Sequence, residues 1–212
     1  LAEAPVIAAA LKLLSLLTRE LDSAIYCDLL NSPFWGDSER ETEVRCRAQT
    51  ALLNLGLHQY PPNRFRVLLH KMEAGNPDGA GDNSLSFRLA NLATVQRQHP
   101  SRQTFRQWQD SFSQALTILG WPGSRSPDSL EFQQLGEWQE LLNTLGQLDL
   151  VSPPVTVDDA LNRLSSLAAD TAFHAETPDS QIQILGTLEA AGLNFDHLWV
   201  MNMDDRHWPE AP

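Results

Sequence analysis

Residues 101–120 read S-R-Q-T-F-R-Q-W-Q-D-S-F-S-Q-A-L-T-I-L-G, with Phe105, Trp108, Phe112, Leu116 and Leu119 at steps of three and four. That period gathers five apolar side chains on one face of a helix. Ser101 is the expected cap, and Gly120 the expected terminator. The same signals recur on both sides. Downstream, Ser126-Pro127 reads as an N-cap followed by proline at the first helical position, where its missing N–H costs nothing. The helix it opens presents Leu135, Trp138, Leu142, Leu145 and Leu148. After the stiff connector Val151-Ser152-Pro153-Pro154, Thr156 caps a helix with Val157, Leu161, Leu164 and Leu167 on one face. Upstream, Pro5 to Leu21 is apolar almost all round, as expected of a helix buried among others. A short helix is expected from Ser23 to Leu30, closed by Asn31-Ser32-Pro33. Ser38 and Glu41 have capping-box spacing before a helix that Gly56 can end. The chain is therefore expected to be mainly α, and its tryptophans and leucines at helical spacing are expected to be core.

The pattern changes at Thr177-Pro178-Asp179-Ser180. Ile182 to Leu185 and Leu198 to Met201 are short apolar runs bounded by glycine or charge, which reads as buried strand. The residues between them suffice for a short crossover, so the two runs are expected to be parallel neighbours in an incomplete α/β unit. Two parts follow: a helical body over 1–176 and a partial α/β segment over 177–212.

Composition limits the function classes. The chain has 212 residues, of which 42% are apolar, enough for a real core, and proline and glycine are at ordinary levels. Cys27 and Cys46 cannot build a disulfide framework or a cysteine-rich zinc site, so a reduced, cytoplasmic chain is expected. Ala4 to Leu17 is interrupted by Lys12 and too short to span a bilayer, and Glu3 stands where a signal peptide would be basic. A start at Leu1 and an end directly after an apolar run are expected of a piece of a longer protein. The net charge of −12 is unevenly placed. Residues 1–127 hold thirteen Lys/Arg against twelve Asp/Glu, whereas residues 128–212 hold Arg163 and Arg206 against fifteen acids. The second part should repel phosphate backbones.

Within the first part, residues 84–109 carry Arg88, Arg97, Arg102 and Arg106 without an acid. Residues 57–72 carry Arg64, Arg66 and Lys71, again without one. Phe65, Phe87, Phe105 and Trp108 are interleaved with these bases, a combination that suits single-stranded nucleic acid. The plainer and preferred reading is a solvated face with its aromatics turned inward. Arg102 and Arg106 are expected to share a helical face. The glycine-rich loop Glu73 to Asn83 lacks the lysine and hydroxyl of a phosphate cradle. The six histidines form no metal-binding pair, and Asp204, Asp205 and His207 read better as a solvated strand end than as ligands. No nucleophile elbow or Cys–His arrangement is present, so no catalytic residue is assigned.

Ile182 to Pro209 reads I-Q-I-L-G-T-L-E-A-A-G-L-N-F-D-H-L-W-V-M-N-M-D-D-R-H-W-P. It resembles the stretch of UvrD/RecB-like superfamily 1 helicases that carries T-x-H-x-x-K-G-L-E-F, then an apolar strand and an acidic turn ending in an aromatic residue and proline. Gln183, Ala190, Gly192, Leu193, Phe195, Met203 and Pro209 match, and Asp204, Asp205 and Trp208 are similar replacements. Gly186, Leu188 and Ala191 stand where that family has threonine, histidine and lysine, and Asn194 where it has the glutamate that helps bind the ribose. Gln183, Gly192, Leu193 and Asn194 are thus the remnant of a nucleotide motif without its coupling side chains. E-A-A-G-L-N-F-D looks more like AddB-type subunits and related bacterial DNA-repair exonucleases.

The resemblance implies that the preceding helices begin the second motor domain and its 2B-like helical insertion. It implies a non-catalytic, helicase-like structural part of a DNA-repair helicase–nuclease. DNA and a partner helicase–nuclease subunit would be its partners, and magnesium would serve a separate nuclease domain. The other reading is a helical protein–protein interaction module whose acidic half binds a basic partner without any DNA role. The arginines of 84–109 favour the first, and the acidic half favours the second.

Overall fold

The computed structural model describes residues 1–74, 83–150, 152–175, 182, 184–186 and 189–201, with Leu150 described by its backbone alone. The chain divides into two units, Leu1–Ala175 and Glu176–Pro212. Among the described residues the first unit holds eight helices: α1 (Pro5–Ser15), α2 (Ser23–Asn31), α3 (Thr42–Leu55), α4 (Pro62–Glu73), α5 (Leu85–Gln98), α6 (Phe105–Leu119), α7 (Ser129–Gln147) and α8 (Val157–Asp170). Two short strands, β1 (Leu21–Asp22) and β2 (Gln59–Tyr60), pair antiparallel with Leu21 opposite Tyr60. The fold is mainly α.

Helix α1 is the centre of the first unit and packs against α2, α6, α7 and α8. Its Ile7, Ala10, Leu13 and Leu14 are completely buried, because apolar side chains on nearly every face suit a helix with neighbours all round. Helices α2 to α5 form the adjoining layer in sequence order, α2 on α3, α3 on α4 and α4 on α5. The short ladder fixes how α2 meets α4: Tyr26 on α2 donates its hydroxyl to the Tyr60 carbonyl at 2.7 Å and lies 4.3 Å, centroid to centroid, from Phe65 on α4. Helices α6, α7 and α8 close the other side, with Trp138 of α7 fully buried.

Helix ends depart from expectation in an instructive way. Helix α6 is capped by Thr104, not Ser101: its hydroxyl accepts from the Gln107 N–H while the Gln107 side chain accepts from the Thr104 N–H. Helix α7 is capped by Asp128, not Ser126, in a reciprocal pair with Glu131. Each true cap has a Gln or Glu three residues on, which satisfies two orphan N–H groups together. Thr156 caps α8 as expected, and Gly56 and Gly120 end α3 and α6 in the left-handed conformation. Ser38 does not cap α3. Glu41 is instead drawn inward to Arg45, at 2.8 Å, and Asp37 organises the preceding turn.

The second unit corrects the strand expectation. Among the described residues of 182–201 no strand forms; a turn spans 189–192 and the flanks are irregular. Ile184, Trp199 and Met201 are 97%, 95% and 86% exposed. A parallel strand needs hydrogen-bonding neighbours and covered faces, and these residues are left open. The turn itself is well bonded. The Gly186 N–H donates to the Glu189 carboxylate at 2.8 Å, and the Ala190 N–H to the Gly186 carbonyl at 2.9 Å.

Candidate functional site

Seven basic side chains were the candidate nucleic-acid contacts, and they lie on or beside α4, α5 and α6, which pack in that order. The structure divides them by what they already hold. Arg88 reaches from α5 to the Ile118 carbonyl near the end of α6, at 3.4 Å, and also bonds the Asn83 carbonyl. Arg102 reaches the Pro154 carbonyl at 3.4 Å. Arg66 lies along α4 against Asn63, and Arg97 along α5 against Ala93 and Thr94. Arg64, Lys71 and Arg106 project into solvent with no side-chain hydrogen bond or ion pair among the described residues.

Arg102 and Arg106 do not share a helical face. Arg102 precedes the Thr104 cap, so it lies outside α6, whereas Arg106 is in the first turn. Between them the anion position is filled. The Asp149 carboxylate, from the 3-10 turn Leu148–Leu150, accepts the Phe105 N–H at 2.5 Å and the Arg106 N–H at 3.2 Å. A helix N-terminus attracts negative charge, and here the chain supplies that charge itself.

Three of the four interleaved aromatics face inward. Phe65, Phe105 and Trp108 are buried, and Trp108 donates its indole N–H to the Val155 carbonyl at 3.1 Å. Phe87, at 39% exposure, is the one with a reachable ring. The solvated-face reading therefore holds for most of the stretch.

In the second unit Gly192 sits at φ +86°, where a side chain is strained, although nothing lies within 4 Å of the position its Cβ would take. Backbone conformation alone asks for glycine there. Leu193 and Asn194 follow it in exposed, irregular backbone, and Gln183 lies outside the described residues. So do Leu188, Asp204, Asp205, His207 and Trp208. Among the described residues no group of three His, Cys, Asp or Glu side chains converges on a metal position. No helix among them is long and apolar enough to cross a membrane.

Two features were not legible beforehand. The first is a buried charge hub. Arg45, 4% exposed, bonds Glu41 and the carbonyls of Leu29, Leu30, Ser32 and Trp35, and stands 4.8 Å over the Trp35 ring. Burial lowers the arginine's pKa and the Glu41 carboxylate opposes that shift. The second is a pocket of about 500 Å³ lined by α6, the Trp121-Pro122 turn and α7. Gly136, a glycine inside a helix two residues before a tryptophan, was its one signal in the sequence.

Comparison with protein-family models, with curated proteins and with solved structures finds no match to this chain. Fold and site define a mainly helical unit with a buried charge hub, and a second unit whose described apolar residues are exposed.

Proposed function

We propose that the chain is a non-catalytic, helicase-like structural part of a cytoplasmic DNA-repair helicase–nuclease, contributing to DNA handling alongside a partner subunit. The observation that carries the proposal is the segment 184–201. A bonded turn leads to a left-handed Gly192, and an apolar run, Leu198 to Met201, follows in the order of the helicase motif. Ala191 and Asn194 stand where that motif has lysine and glutamate, so the groups that couple nucleotide to DNA are missing. The exposed Ile184, Trp199 and Met201 are then apolar side chains that the partner subunit would cover. In this reading the helices of 1–175 are scaffold, and Arg64, Lys71 and Arg106 are the cations available to phosphate.

The interaction-module reading has one observation of its own. Asp149 occupies the N-terminus of α6, the best backbone anion site beside the basic residues. Binding of a labelled oligo-dT separates the two, together with ATP hydrolysis in its presence. The helicase-like scaffold binds the oligonucleotide, loses affinity steeply with salt and does not hydrolyse ATP. No binding at low salt hands the function to the interaction module. DNA-stimulated ATP hydrolysis contradicts the non-catalytic assignment.

A further inference from the structure

Helices α4 and α5 contribute no exposed carboxylate. Residues 57–72 and 84–109 hold neither Asp nor Glu. The one acid on the two helices, Glu73, is buried, and its carboxylate accepts the Ser86 N–H at 3.0 Å and the Ser86 hydroxyl. On the neighbouring α3 the one acid, Glu43, faces Arg47 at 3.8 Å. Phosphate approaching α4 and α5 therefore meets cations that no acid of their own helices offsets.

The Glu73–Ser86 contact also sets which side chains are neighbours. It ties the last residue of α4 to the first turn of α5, and the two helices pack together. Lys71 and Phe87 lie within two residues of that tie, so they stand at the same end of the pair. Both point away from the core. On α4 the buried face is Phe65, Leu69 and Glu73, which leaves Val67 and Lys71 on the opposite side. On α5 the buried face includes Leu85, Leu89 and Leu92, which leaves Phe87, Asn91 and Thr94 outside. Arg64 is exposed two turns before Lys71, about 10 Å along the axis at the rise of an α-helix.

We infer that this outer face is a platform for single-stranded DNA, with Phe87 stacked on a base and Lys71 and Arg64 on phosphates. The inference rests on the DNA-handling reading above and adds to it a strand preference and a residue that reads the base rather than the backbone. Aromatic rings stack on any unpaired base, whereas the bases of a duplex already stack on one another. Phe65, Phe105 and Trp108 are committed to the core, so Phe87 alone among the interleaved aromatics supplies that contact.

Three probes of equal length separate base from backbone: labelled oligo-dT, the same chain built of abasic sites, and a blunt duplex. Binding to the 212-residue chain is followed by fluorescence anisotropy. Oligo-dT should bind at least about fivefold more tightly than the abasic chain, and Phe87→Ala should remove that advantage. The same variant should leave the salt slope, the abasic affinity and the duplex affinity unchanged, whereas Lys71→Ala should lower the slope by about 0.7. Phe87→Tyr keeps a ring and should keep the affinity, which separates stacking from a general effect on folding. Unchanged oligo-dT binding in Phe87→Ala, an equal loss on the abasic chain or the duplex, or a Phe87→Tyr variant as weak as Phe87→Ala would overturn the platform alone. Absence of binding by every form at low salt would overturn the DNA-handling reading and the platform with it.

Discussion

Arg45 shows how one side chain can fix several elements. Its guanidinium meets the carbonyls ending α2, the Trp35 carbonyl and the Glu41 carboxylate, a set that only a planar fork with five donors can satisfy. Arg45→Ala should cost about 3–5 kcal/mol in urea denaturation, because it strands a buried carboxylate and its carbonyl partners. Arg45→Lys should recover little of that, since an ammonium cannot reproduce the fork. Nothing in the heptapeptide around Arg45 separates it from the exposed Arg47, which is why sequence gave no hint of it. Glu131 supplies the pH prediction. Hydrogen bonding from Arg125 holds its carboxyl below the usual carboxylate range. A depressed carboxyl stabilises the fold above its unfolded pKa, about 4.3, and that stabilisation is lost as pH falls through the lower folded value. Stability should therefore fall across the acid range below pH 4.3, and Glu131→Gln should be less stable at neutral pH with a shallower acid decline in thermal denaturation.

At the scale of elements, apolar spacing and cap signals located α1, α2, α3, α6, α7 and α8, whereas α4 and α5 were legible only as basic stretches. The helix starts were less legible. Ser101 and Thr104, or Ser126 and Asp128, offer equally good caps until the side chain three residues on is counted. Gln107 and Glu131 decide the matter. The Asp149 contribution could not be read at all, because it joins residues more than forty positions apart. Asp149→Ala should destabilise by about 1 kcal/mol through the lost cap and charge–dipole contact, measured by urea denaturation. The turn after α6 makes a sharper demand. Gly123 lies at φ +102°, and a Cβ there would meet the Pro33 carbonyl oxygen at 2.4 Å. Gly123→Ala should cost about 1–3 kcal/mol from backbone strain alone, with the collision adding to it. A destabilisation under half a kilocalorie would show that the turn can move away from Pro33.

For the whole molecule, a mainly helical body was legible because its packing is internal to the chain. Among the described residues of 182–185 and 198–201 the expected strands do not form, because strand formation depends on neighbours that a run of apolar residues cannot supply by itself. The basic residues met a different fate: most were absorbed by carbonyls and neighbouring side chains, leaving Arg64, Lys71 and Arg106 open. In the proposed scaffold role, contact with DNA phosphate falls to those three cations. The most direct measurement is the salt dependence of oligo-dT binding for the 212-residue chain and its Arg64→Ala/Lys71→Ala/Arg106→Ala variant. Each lost phosphate contact lowers the log–log slope by about 0.7, so the triple variant should bind more weakly with a slope shallower by roughly two. An unchanged slope and affinity, or no binding by either form at low salt, would contradict the account.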